Sequence, residues 1–436
     1  MMIERKTVED PFLCERYDVV RHASGLTVYV FPKKLSTTYA SLTVHFGSLD
    51  NCFRFENEEE PITLPDGIAH FLEHKMFESE DHIDTFDKFS ALGASANAYT
   101  SNEATTYLFS TAEKLDKPLA LLLNYVFEPY FTEKNVEKER GIIGQEIKMY
   151  DDSPLSRLYA STMELLYVNH GIRTNICGSV SSVSEITPEL LLRCHRAFYR
   201  PERMTLIVVG NVVTEEVMAV VDKALPSLPA IPRVIPEYPT EPDALYGRSR
   251  EFTMDISRPK LAIGFKDTAL PEDKKARERR AIAMNLLCDL YFGESTPFYD
   301  RLYRKGLISR DFSAYYESLR GCGHLLLCAS TDEPERLLCE LREKIAAIAE
   351  GEETDEADFL RIRAVHYAEY VKDFDSTEEI AAALLDAILD GTELFETGAT
   401  IHSIEHAEIS ALAREFFRDK EFAYTVISPT KGATNA

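Results

Sequence analysis

The sequence has no tryptophan, and none of its apolar stretches reaches the roughly 20 residues that a membrane-spanning helix needs. The first ten residues carry no apolar signal-peptide core, so a cytoplasmic location is expected. Basic residues are scarce. With 48 Lys and Arg against 73 Asp and Glu, the net charge is −25, which repels nucleic acid and anionic membrane and argues against both as partners. Such an acidic surface favours basic peptides, or simply keeps the chain dissolved. Cysteine is sparse too. The eight thiols at positions 14, 52, 177, 194, 288, 322, 328 and 339 include no C-x-x-C pair, and several lie in apolar runs such as 285–290. They are expected as reduced core residues, neither a disulfide framework nor a zinc site.

What is present is an ordinary globular composition, 45% apolar and 28% charged, over 436 residues, too long for one ordinary core. Residues 17–21 and 26–31 alternate around a turn at 22–25 and predict a hairpin, and 39–46 continues a sheet. Helical spacing follows at 84–92, 115–128, 135–149, 155–168 and 188–198; 94–100 and 105–111 read as strands, and 204–210 as a buried strand. Prolines 226, 229, 232, 236, 239 and 242 then rule out a continuous helix or central strand. Beyond them the order repeats: strands at 260–265, 312–316, 324–330 and 422–427, and helices at 276–290, 333–350, 355–372, 377–389 and 407–417. The expected fold is α+β, with two homologous domains, 1–225 and 248–436, each a mostly antiparallel sheet packed with helices and joined by a Pro-rich linker at 226–247.

The chemistry concentrates in His70-Phe-Leu-Glu-His74. Asp66 is a plausible N-cap for a helix over this run, which would set His70 and His74 one turn apart on one face, able to grip a divalent metal. Glu73 would lean over the same face, within reach of a water on that metal. The acid precedes the second His, the inverzincin order. A third ligand, usually a carboxylate, is still needed, and the best candidates lie on the helix at 135–149, where Glu139 and Glu146 are seven residues apart along one stripe. Gly141 and Gly144 each cost about 1 kcal/mol in a helix interior, so a close helix contact is expected on their side.

The His-x-x-Glu-His run, the acid 72 residues beyond it, residues 93–101 (GASANAYTS) and the tail Tyr150-Asp-Asp-Ser-Pro154 together resemble the pitrilysin/insulinase family of zinc peptidases, especially its bacterial single-module members. The resemblance covers the whole chain. It implies Zn2+ held by His70, His74 and Glu146, with Glu73 as general base and Glu139 as a supporting acid. It also implies a substrate strand at Asn97, Ala98 and Tyr99, holding peptides extended in a chamber. The second half carries no histidine at 283–290, and its His366 lacks a histidine neighbour, so the chemistry is expected in the first half alone.

One departure stands out. Family members bring an Arg and a Tyr from the second kind of domain, and here the alignment puts Tyr303 and Ser309 at those positions, with Arg301 and Arg304 nearby. This favours a heterodimer with a related inactive chain that supplies the missing groups, rather than a homodimer. The alternative function is a non-catalytic scaffold subunit.

Overall fold

The computed structural model describes residues 2–430. Strands β1 (Met2–Asp10), β2 (Glu15–His22), β3 (Thr27–Pro32) and β4 (Thr38–Val44) come first, then the short β5 (Cys52–Phe55) and β6 (Ile62–Thr63). Helices α1 (Ile68–Lys75) and α2 (Thr85–Ala91) lead into the hairpin β7 (Ala94–Thr100) and β8 (Thr105–Thr111). The chain continues through α3 (Asp116–Tyr125), α4 (Glu133–Asp152), α5 (Pro154–Leu166), α6 (Val180–Ser184) and α7 (Pro188–Phe198) to β9 (Met204–Gly210), α8 (Thr214–Ala224) and β10 (Val234–Pro236). After these come β11 (Ser249–Met254), β12 (Lys260–Lys266), α9 (Lys274–Phe292), α10 (Pro297–Arg304), β13 (Ser313–Leu319) and β14 (Cys322–Ser330). Helices α11 (Pro334–Glu350), α12 (Glu356–Asp373), α13 (Thr377–Asp390), α14 (Glu396–Ser403) and α15 (His406–Phe417) precede the last strand, β15 (Ala423–Pro429).

Two compact units result, and neither is continuous in sequence. Among the described residues, the first comprises 2–147, Asn175–Tyr238 and Lys372–Leu389, and the second Lys148–Thr174, Pro239–Val371 and 390–430. The first unit's main sheet runs β1-β2-β3-β9-β4-β8-β7 and is antiparallel except for β3 beside β9. The second unit's sheet runs β11-β15-β12-β14-β13, antiparallel except for β11 beside β15. Its five strands match β3-β9-β4-β8-β7 one for one, with the parallel pair at the same end. The expected α+β fold of two homologous domains is therefore present, and both sheets are built on the inward-pointing apolar residues of their strands. The division between Tyr238 and Pro239 falls inside the Pro-rich stretch, where β10 pairs with β5 at the rim of a small third sheet. An edge strand is one of the few places in a sheet that tolerates a proline such as Pro236.

A pair of exchanged helices explains the discontinuity. Helix α5 follows α4 in the first half but belongs to the second unit, where Leu158 joins Ala262 and Ile427 in an apolar cluster and the hydroxyls of Thr162 and Thr425 lie 3.0 Å apart. The segment leading into α13 joins the first unit in return, with Phe374 against Phe31 at 6.2 Å between ring centres and the hydroxyls of Thr37 and Thr377 3.4 Å apart. Strands β1, β5, β6, β10 and β11 and helices α6, α8, α10 and α14 are additions to the sequence expectation. β1 carries almost no buried side chains, so its order comes from main-chain pairing with β2 and leaves no period-2 signal.

Gly264 in the middle of β12 shows how α5 is seated. A Cβ there would come within 2.8 Å of Leu166 and 2.9 Å of Thr162, so the helix lies on the strand at the one position without a side chain. Gly264→Val is expected to lower stability by about 1–3 kcal/mol through overpacking, read as a lower denaturation midpoint; an unchanged midpoint would show that α5 does not rest on this strand.

Candidate metal centre

Helix α1 starts one residue later than the sequence pattern suggests. Its N-cap is Gly67, at φ +91°, while the Asp66 carboxylate accepts a hydrogen bond from Asn51 Nδ2 at 2.8 Å instead of capping the helix. The left-handed backbone at Gly67 is open to glycine at no cost. A Cβ there would also strike the Cys177 carbonyl oxygen at 2.4 Å, so the helix start is pressed against the loop that follows residue 175. Ile68, Ala69, Phe71 and Leu72 are all buried, and so are His70 and Glu73 between them. Helix α4 begins ahead of Asn135 because of a reciprocal cap: Thr132 N–H donates to Asn135 Oδ1 at 2.8 Å, and Asn135 N–H to Thr132 Oγ1 at 3.2 Å. The close contact expected at Gly141 and Gly144 is absent, since a Cβ on either would meet nothing within 4 Å.

The two helices bring five of the expected residues together. Glu146 divides its carboxylate between the imidazoles, with Oε1 3.7 Å from His70 Nε2 and Oε2 3.6 Å from His74 Nε2. Glu139 turns away from that point. Its Oε1 lies 3.2 Å from His74 Nδ1 and its Oε2 3.5 Å from the ammonium of Lys75, which is fully buried and also pairs with Glu78 at 2.7 Å. A proton on His74 Nδ1 directed at Glu139 leaves Nε2 with a free lone pair on the side of His70 and Glu146. This is the arrangement by which a carboxylate orients a metal-ligating histidine. Tetrahedral zinc with Zn–N and Zn–O bonds of about 2.0–2.2 Å would set its donors about 3.4 Å apart; the contacts of Glu146 with the two imidazoles, 3.7 and 3.6 Å through different carboxylate oxygens, lie within a few tenths of an ångström of that.

Glu73 points to the same region but is held by a different partner, the hydroxyl of Thr100, which donates to its Oε2 at 2.6 Å. Thr100 closes β7, the outermost strand of the sheet and the one carrying Asn97, Ala98 and Tyr99. The Ala98 N–H donates to Asn97 Oδ1 at 2.9 Å. In the second unit, the residues at the expected Arg and Tyr positions supply neither group: Tyr303 is half-exposed, and Ser309 bonds Arg258 and Asp311. Arg301 and Arg304 are paired with Glu340 and Asp300. His366 bonds Asp289 at 2.6 Å.

The sequence from 31 to 174 matches the family model for insulinase, peptidase family M16, and 185–365 matches the model for the M16 inactive domain. The chain is 36% identical over 413 residues to the uncharacterized zinc protease YmfH of Bacillus subtilis (strain 168), covering 94% of this chain and 96% of that one. The chain belongs to peptidase family M16. An M16-like peptidase from Alicyclobacillus acidocaldarius shares its fold at a TM-score of 0.90 and 30% identity, over 97% of this chain and all of the other. A protease from Helicobacter pylori, at 22% identity, shares the fold at a TM-score of 0.80.

Burial sets the electrostatics of this M16 centre. It lowers the His70 imidazole to about 3, with the neighbouring His74 adding to the effect. It raises Glu73, against the bond from Thr100. It also opposes charge on His74, but the hydrogen bond to Glu139 and the surrounding carboxylates outweigh it and raise that group. For Glu139 burial is again overcome, here by His74 and Lys75, and the carboxyl is lowered.

Two participants escaped the sequence reading. Thr100 gave no signal beyond its place at the end of a strand. Cys177 was expected among reduced core residues and is indeed a buried free thiol, pushed up to about 12 by burial and by Glu146 and Glu73, but its Sγ lies 3.8 Å from His70 Nε2. The general expectation for the cysteines also needs correcting at Cys14 and Cys339, which are exposed. A histidine held neutral in the folded state binds its proton more readily when unfolded, so His70 costs stability as pH falls from its ordinary 6.5 toward 3. Metal-free protein carrying His70→Gln should therefore lose less stability than wild type between about pH 7 and pH 4.5, measured by urea unfolding; equal losses would show that His70 is not buried in neutral form.

Proposed function

We propose that this chain is a zinc endopeptidase that hydrolyses peptides or unfolded segments held extended, as the catalytic subunit of a heterodimer. The observation that carries this reading is the convergence of His70 Nε2 and His74 Nε2 on the two oxygens of Glu146, with Glu139 fixing the opposite nitrogen of His74. In this reading His70, His74 and Glu146 are the zinc ligands. When bound, the ion supplies Lewis-acid chemistry, polarising the scissile carbonyl and lowering the pKa of water toward about 7.

The remaining steps belong to the protein. Glu73 accepts a proton from the attacking water and returns it to the departing amine, and burial suits it to that task by raising its affinity for the proton. Thr100 keeps the Glu73 carboxylate aimed. Among the described residues no strand pairs with the outer edge of β7, so an extended peptide can add to it by main-chain hydrogen bonds along Asn97, Ala98 and Tyr99. Pairing there would require the Asn97 side chain to release the Ala98 N–H. The free thiols support a reducing, cytoplasmic setting.

The second domain has no Arg and Tyr at the positions that would hold the developing oxyanion, a loss on the order of 3 kcal/mol in the barrier. A related chain that keeps those residues and has lost the histidine motif would provide them. A second copy of this chain would bring only Tyr303 and Ser309. The test is cleavage of an unstructured peptide by wild type and Glu73→Gln, each alone and mixed with such a partner, together with zinc analysis. Both forms should hold about one zinc; wild type should cleave weakly alone and roughly 100-fold faster in the mixture, while Glu73→Gln stays inactive throughout. Cleavage by Glu73→Gln would remove it as the base, full activity of the single chain would remove the heterodimer, and zinc without cleavage in any mixture would leave the scaffold reading.

A further inference from the structure

Cys177 is built into the metal centre. It sits in a tight turn in which its own N–H donates to Asn175 Oδ1 at 2.9 Å and the Gly178 N–H to the Asn175 carbonyl at 2.8 Å. Gly178, at φ +73°, lies so close to the start of α1 that a Cβ would be 2.3 Å from the Asp66 carbonyl, and Ser182 Oγ donates to the same carbonyl at 2.8 Å. Together with the contact at Gly67, this fastens the turn to the end of the helix that carries His70. The Cys177 backbone is thereby held beside His70, while rotation about its Cα–Cβ bond still lets the thiol swing.

The donors of His70, Glu146 and Cys177 all lie within 4.8 Å of one another, a group that does not include His74, which meets Glu146 through its other oxygen. His70 is 7% exposed and has no hydrogen bond at Nδ1, so its polar contacts run through Nε2, to Glu146 at 3.7 Å and Cys177 at 3.8 Å. Zinc bonded to a thiolate at about 2.3 Å and to an imidazole at about 2.0 Å would hold sulfur and nitrogen about 3.6 Å apart. The thiol is therefore placed almost as a ligand would be.

We infer that Cys177 supplies a fourth, sulfur ligand to the metal held by His70, His74 and Glu146. The inference rests on the metal-site reading above. The thiol proton leaves to solvent as the metal–sulfur bond forms, and no electron is transferred. With sulfur bound, the position that a hydrolytic site keeps for water is filled. Water could then be held for hydrolysis only after the Cys177 side chain had rotated away from the site.

The cobalt-loaded protein tests this through its absorption spectrum, because a thiolate bound to Co(II) gives a charge-transfer band in the near ultraviolet, separate from the visible bands that any bound Co(II) shows. Wild type should have both, and Cys177→Ser and Cys177→Ala the visible bands alone. Visible bands without the sulfur band in wild type, or a sulfur band that survives in both variants, would overturn the Cys177 ligand and leave the His and Glu site standing; absence of bound cobalt altogether would overturn both. Zinc-edge X-ray absorption on wild type needs no variant: a sulfur neighbour at about 2.3 Å is expected, and a shell of nitrogen and oxygen only would contradict the proposal.

Discussion

The carboxylate of Glu139 is the contact on which the centre depends. It is buried between two groups from α1, His74 on one oxygen and the fully buried Lys75 on the other. A buried ion pair deprived of one partner loses about 3–5 kcal/mol, so removal of Glu139 alone would weaken the register in which α1 and α4 are held. Two turns further along α4 comes Glu146, and because both acids lie on one stripe, the register set by Glu139 also brings Glu146 opposite His70 and His74. Structural support and the placing of Glu146 thus come from a single interaction, and the same hydrogen bond leaves His74 Nε2 free on the side of Glu146.

The second domain repeats the framework without the histidine motif. Its helix α9 fills the equivalent region with Met284, Leu286, Leu287 and Leu290, all buried, and its single histidine on α12 is taken up by Asp289. Two copies of one fold thereby serve different ends, one carrying polar groups that must be satisfied and the other an apolar core. Fold alone does not assign an activity, and the one proposed above rests on the side chains of α1 and α4.

Much of this was readable in the sequence because it is local. The hairpin around 22–25, the strand pair at 94–111 and the helices bearing the motif all follow from periodicity within a short window, and the five acidic and imidazole groups follow from i, i+3, i+4 and i+7 spacing on two helices. Tertiary features were not readable. The exchange of α5 and α13 depends on which sheet each helix meets, a choice that no local pattern encodes, and Gly264 became interpretable only once Leu166 and Thr162 were seen above it. Asp66 had the chemistry of an N-cap, but Asn51 took its carboxylate and left the cap to Gly67. The glycines of α4 misled for the same reason, since cost in a helix does not show what, if anything, lies opposite. Cys177 was hidden by the 103 positions that separate it from His74, with no motif to join them.

The central claim is that one metal is held between α1 and α4 by His70, His74 and Glu146, with Glu139 bonding His74 and not the metal. Anomalous diffraction at the zinc edge from crystals of the purified chain measures this directly. The account predicts one strong peak at bonding distance from His70 Nε2, His74 Nε2 and a Glu146 oxygen, with the Glu139 carboxylate turned to His74 Nδ1 and Lys75. A peak elsewhere in the molecule, or one bonded to Glu139 in place of Glu146, would contradict it.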